Sequence, residues 1–220
     1  AQLVSYLSDS NGWVRDTAQR LLLNHPGDLR AALQPLATGS DSLGAIHALW
    51  TLEGRGELDR ELILDTLAIS DVHRQVQALR AGRALLGAED VLALDDALRA
   101  APELLRMQLA FVLGDFASQA PVRARLLNLL SVHLNSPYVR QAVVRATHGM
   151  ELQFLSEALL SNVLDQESEV TEGLLALLAE KAYRGLRHDL TATEMTNSDL
   201  MDLLTLVESR TGGNAWQQIA

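Results

Sequence analysis

Val14-Arg15-Asp16-Thr17-Ala18 decides the fold, because the chain repeats it. The stretch returns loosely as Gly44-Ala45-Ile46-His47-Ala48, Arg74-Gln75-Val76-Gln77-Ala78, Leu105-Arg106-Met107-Gln108-Leu109 and Val139-Arg140-Gln141-Ala142-Val143. Successive copies start 30, 30, 31 and 34 residues apart. A period in that range signals stacked helical hairpins, since one hairpin cannot bury its apolar face alone. Written beneath one another, the copies give a core column of Ala18, Ala48, Ala78, Leu109 and Val143. One helical turn further on come Leu22, Leu52, Gly82, Leu113 and Thr147, mostly apolar. Chance supplies one such match, not five in register.

Outward from the copies, short polar or Gly/Pro breaks punctuate the chain, among them Pro26-Gly27-Asp28, Gly54-Arg55-Gly56, Gly87-Ala88-Glu89-Asp90 and Asn135-Ser136-Pro137. Between them lie segments of helical length with apolar residues three and four apart, such as 58–67 and 122–130. No stretch alternates apolar and polar residues as a half-buried strand does. The turns before the copies often carry Asp or Asn (Asp9, Asp41, Asp71, Asn135), and each copy follows another amphipathic segment. Helix, tight turn and second helix opening on Val-Arg is the pattern of a HEAT repeat. The expected fold is therefore all-α: a right-handed α-solenoid of about six HEAT-like hairpins, with residues 1–220 forming one domain. Near the end, Thr191-Ala192-Thr193-Glu194 has capping-box spacing, and Asn197 or Ser198 suits the next helix cap. Gly212-Gly213 reads as a turn, and 214–220 as the opening of a further helix. With Ala1 rather than Met at the start, the chain is expected to be a segment of a longer protein.

Composition supports this. Hydrophobic residues make up 48% of the 220, enough for a core, while aromatics reach only 4%, which suits close helix packing better than β-sandwiches. A formal net charge of −10 repels phosphate backbones and argues against nucleic-acid partners. The absence of cysteine excludes disulfides, thiolate metal sites and covalent haem attachment within these residues. No apolar run approaches the ~18 residues of a membrane span, so no membrane insertion is expected.

Candidate sites are few. Among His25, His47, His73, His133, His148 and His188 no pair has the i, i+4 spacing of a helical metal site. Asp95-Asp96 and Glu167/Glu169 read as solvated faces rather than acid–base pairs, which need two groups held across a pocket. Gly54-Arg55-Gly56 follows no strand and makes no phosphate loop. The expectation is no catalytic residue, no cofactor and no metal. Thr17, His47, Gln77 and Gln108 share a column two residues beyond Arg15, Ala45, Gln75 and Arg106 and are polar throughout. They suit a structural hydrogen-bond ladder, with a ligand or proton-relay role as the alternative. Asp9 with Arg15, and Asp71 with Arg74 or Arg80, have the arrangement that ties turns to helices, and Arg15, Arg106 and Arg140 share a column.

The most informative departure lies on the row one, five and nine residues beyond Arg15, Ala45, Gln75, Arg106 and Arg140, which points away from the hairpin core. A solvent-facing row should not carry Ile46, Trp50, Met107 and Phe111. Either these residues pack against one another, or they form an apolar docking patch rimmed by Arg20, Arg80 and Arg145.

The strings 11–22, 46–54 and Tyr138-Val139-Arg140-Gln141-Ala142-Val143 resemble the HEAT region of large bacterial dehydrogenase-like proteins. In that family a sugar-dehydrogenase-like β-propeller precedes the HEAT repeats and a c-type cytochrome domain follows them. The resemblance implies an exported, periplasmic or membrane-associated parent, and a protein partner among its neighbouring domains. It carries over no cofactor or haem residue, because neither a propeller nor a Cys-x-x-Cys-His site is present here. The functional expectation is a non-catalytic scaffold. The rivals are a generic cytosolic protein-binding HEAT module and, against the charge, a HEAT-like DNA glycosylase.

Overall fold

The computed structural model describes residues 2–97, 101–161 and 169–188, with the isolated residue 205. Residues 191–194, Asn197, Ser198, Gly212-Gly213 and 214–220 lie outside these, as do Glu167 and the side chains of Asp95, Asp96, Glu169 and His188. Among the described residues all regular structure is helical and no strand occurs. The chain is all-α. In order run α1 (Gln2–Ser5), a 3₁₀ turn (Tyr6–Ser8), α2 (Gly12–Leu23), α3 (Arg30–Ala37), α4 (Ser42–Gly54), α5 (Arg60–Leu67), α6 (Val72–Ala81) and a second 3₁₀ turn (Arg83–Leu85). Then follow α7 (Ala88–Ala97), α8 (Glu103–Gly114), α9 (Ala120–Val132), α10 (Pro137–Ala146), α11 (Glu151–Leu160) and α12 (Glu169–His188).

The five copies open α2, α4, α6, α8 and α10, and caps fix several of those starts. The first amides of a helix lack intrahelical acceptors, so a side-chain oxygen just before the helix satisfies one or two of them. Asn11 takes the Trp13 amide at 3.0 Å, Asp41 those of Leu43 and Gly44 at 3.2 and 3.1 Å, Asp71 that of Arg74 at 3.1 Å and Ser136 that of Val139 at 3.1 Å. Asp9 and Asn135 therefore stand beside the caps rather than at them. Helix exit is equally local. After α4, Gly56 at φ +68° lets the amides of Glu57 and Leu58 turn back onto the Leu52 carbonyl, a left-handed stop that favours glycine.

Both sequence columns are buried. Ala18, Ala48, Ala78, Leu109 and Val143 lie inside, as do Leu22, Leu52, Gly82, Leu113 and Thr147. Gly82 breaks the second column for a steric reason: a Cβ there would stand 2.6 Å from an Ile63 side-chain carbon. The chain divides into two compact units, Ala1–Val112 and Leu113–Ala220. In the first, α4 packs on α3 and also on α2 and α6, the copy-bearing helices before and after it, while α5 packs on α6. In the second, α9 packs on α10, α11 on α12, and α9 on α11.

Candidate interaction surfaces

In the first unit the polar column lies where copy-bearing helices meet. His47 on α4 is held from α2 on both ring nitrogens: Arg15 Nε donates to its Nε2 at 3.3 Å, and its Nδ1 stands 2.7 Å from Gln19 Oε1. An arginine has no acceptor, so Nε2 is unprotonated and Nδ1 carries the proton that Gln19 accepts. Burial, and then the Arg15 charge, push the imidazole below its ordinary value of 6.5 and keep it neutral. One helix further, the Trp50 indole N–H donates to Gln77 Oε1 at 3.0 Å, joining α4 to α6. Thr17 is half-buried on α2 and Gln108 buried on α8. His47 and Gln77 thus cross-link successive helices, with partners outside their own column.

The arginines tie turns to helices through backbone carbonyls more than through carboxylates. Arg15 Nη1 donates to the carbonyls of Asp9 and Ser10 at 2.7 and 3.1 Å, while the Asp9 carboxylate takes the Asn11 amide at 2.8 Å. Arg140 likewise donates to the Leu134 carbonyl. Arg74, only 2% exposed, stands 3.9 Å from the Asp71 carboxylate but donates to the Gly39 carbonyl at 2.7 Å, reaching back into the turn between α3 and α4. Arg80 is exposed, and Arg106 half-buried.

A second tie lies outside the repeat columns of the sequence. Arg30 pairs with Asp59 and Arg60 with Asp90, each linking the start of one first-of-pair helix to the next. The Leu62 amide, with Arg30 after burial's opposing effect, holds the Asp59 carboxyl below its ordinary range; Arg60 does the same for Asp90. In the second unit Arg123 on α9 donates to both carboxylate oxygens of Glu157 on α11, and to the carbonyls of Ala117 and Ser118 at 3.0 and 2.8 Å. The signal was present: Arg30 and Arg60 are one period apart, as are Asp59 and Asp90. These residues precede the copies and so stand outside the repeat columns.

On the outward row, Ile46, Trp50, Met107 and Phe111 are half-buried, Val76 is buried, and Arg20, Arg80 and Arg145 are exposed. Six of the seven docking candidates belong to the first unit; Arg145 belongs to the second, on α10. A further column runs beside this row. The residue just before each copy is Trp13, Leu43, His73, Leu104 or Tyr138, and all five are exposed, Trp13 by 73% and Tyr138 by 61%.

Among the described residues no group of three or more His, Asp or Glu side chains is placed to hold a metal, and no helix is long and apolar enough to cross a membrane. No protein-family model matches the sequence, and no curated protein is significantly similar to it.

Proposed function

We propose that the chain is a non-catalytic scaffold, a right-handed α-solenoid of about six HEAT-like hairpins that positions or docks neighbouring domains of an exported, dehydrogenase-like parent. The observation that carries this reading is the outward row of the first unit. Four large apolar side chains, Ile46, Trp50, Met107 and Phe111, remain partly exposed on helices whose inner columns are closed. Rows of this kind, with Arg20 and Arg80 exposed at the equivalent positions of α2 and α6, have the composition of binding hot spots. The array reading is supported by the burial of both repeat columns and by the packing of α4 on α2 and α6. Solenoids gain binding surfaces by such repetition. The exported parent, with its propeller and cytochrome neighbours, rests on the resemblance of the strings around Trp13, Trp50 and Arg140.

The test is a titration of the chain against the propeller and cytochrome domains encoded beside it. Trp50→Ala and Phe111→Ala should each weaken association by about 2 kcal/mol or more while helicity is kept. Wild-type affinity in both variants overturns the docking row. Neighbouring sequence that encodes neither domain overturns the parentage.

A further inference from the structure

In the second unit α10 and α12 flank an open groove of about 510 Å³, within the size range of small-molecule sites. Val144 and Leu174, both buried, form its floor, and the partly exposed Leu177 forms one wall. Among the described residues, every ionisable side chain lining it is a cation: Arg140, Arg145 and Lys181. Arg140 is steadied by the Leu134 carbonyl, whereas the side chains of Arg145 and Lys181 make no hydrogen bond or ion pair with any described residue. In a chain of net charge −10, three cations around one apolar floor run against the background.

The groove is kept open by Gly173, which lines it from α12. A mid-helix glycine costs about 0.5–1 kcal/mol relative to alanine. Packing does not demand one here, because a Cβ at Gly173 would meet nothing within 4 Å. Gly173, Leu177 and Lys181 stand at i, i+4 and i+8, so the helix presents a gap, an apolar side chain and a cation in line.

We propose that this groove binds a small amphiphilic anion, with a carboxylate-type head between Arg145 and Lys181 and an apolar body over Val144, Leu174 and Leu177. Charge selects the head, and an apolar floor with a few convergent polar groups is what such pockets use for the rest. The inference stands apart from the docking row of the first unit.

The probe is decanoate below its micellar concentration, titrated into the full chain by calorimetry, with acetate and decylamine as head-only and opposite-charge controls. Decanoate should bind saturably at one site, and each control at least about tenfold more weakly. Arg145→Glu with Lys181→Glu, two side chains without described partners, should lower decanoate affinity by about tenfold or more. Gly173→Leu, which fills the gap with a better helix former, should abolish binding without lowering the melting temperature. Absence of saturable decanoate binding, equal binding of decylamine, or undiminished binding by Gly173→Leu overturns the proposal. Were Gly173→Leu to melt early, the charge-reversal pair decides alone.

Discussion

Between α4 and α6 of the first unit, the Trp50 indole reaches across to Gln77; beside α10 of the second, Arg145 holds the equivalent row position and faces a groove. The first unit closes the space at its copy-bearing helices with side chains that hydrogen-bond from helix to helix. The second unit leaves that space open; its first-of-pair helices are tied, as those of the first unit are, here by Arg123, which grips Glu157 and two carbonyls. The same repeat supports two different distributions of cohesion, so substitutions should not have equal consequences at equivalent positions.

The largest effect is expected at Arg123. Arg123→Ala removes a buried fork and leaves the Ala117 and Ser118 carbonyls without it. Breaking a buried, hydrogen-bonded pair costs about 3–5 kcal/mol; with Glu157 partly exposed, the lower end applies. Arg123→Lys should recover only part of the loss, because an ammonium cannot satisfy carboxylate and carbonyls in one plane. Chemical denaturation of the three proteins measures this. If Arg123→Ala costs less than about 1 kcal/mol, the second unit is held as the first is, and the contrast fails.

Gly82→Ala tests how tightly the first unit is closed. The added methyl would meet three Ile63 carbons at 2.6–2.9 Å, and overpacking of that kind costs about 1–3 kcal/mol. Combining it with Ile63→Val should restore part of the loss, since the smaller side chain makes room. A thermal melt of the single and double variants reads the outcome.

The helical class and both buried columns were legible because burial imposes a period on residue type, and Ala18, Ala48 and Ala78 display it directly. The ties were less legible. Arg74 stands in the Val14 column, where an apolar residue is expected, and only the fold reveals the Gly39 carbonyl that its guanidinium reaches. Asp9 looked like an ion-pair partner of Arg15, yet it is its carbonyl that Arg15 uses, and backbone acceptors leave no trace in side-chain identity. The groove was invisible for another reason. It depends on α12, which carries no recognisable copy, so Gly173 and Lys181 had no column to be read in.

Acid should weaken the first unit before its carboxylates titrate. His47 is held neutral, with burial and Arg15 opposing its proton while Asp16 and Asp41 partly favour it. A folded value below 6.5 means that the unfolded chain takes up the proton first. Stability is then intact above about pH 6.5 and declines as pH falls through it towards the lower folded value. Asp59, Asp71 and Asp90, all lowered, add a second decline once pH falls below 3.8. His47→Gln, whose amide can still donate to Gln19 and accept from Arg15, should flatten the first decline and leave the second. Melting temperatures at pH 8, 6, 5 and 3.5 separate the two steps.

The smallest effect is also the sharpest contrast. Gly173→Ala makes the same chemical change as Gly82→Ala. At Gly82 the new methyl enters a closed interface; at Gly173 it enters open space, with nothing within 4 Å. Helix propensity then acts alone, and the variant should be more stable by about 0.5–1 kcal/mol. Denaturant midpoints of the two alanine variants, at unchanged slope, should therefore move in opposite directions from the parent chain. A destabilised Gly173→Ala would mean that α10 and α12 close on each other in solution. The second unit would then be filled as the first is, by side chains meeting across successive helices.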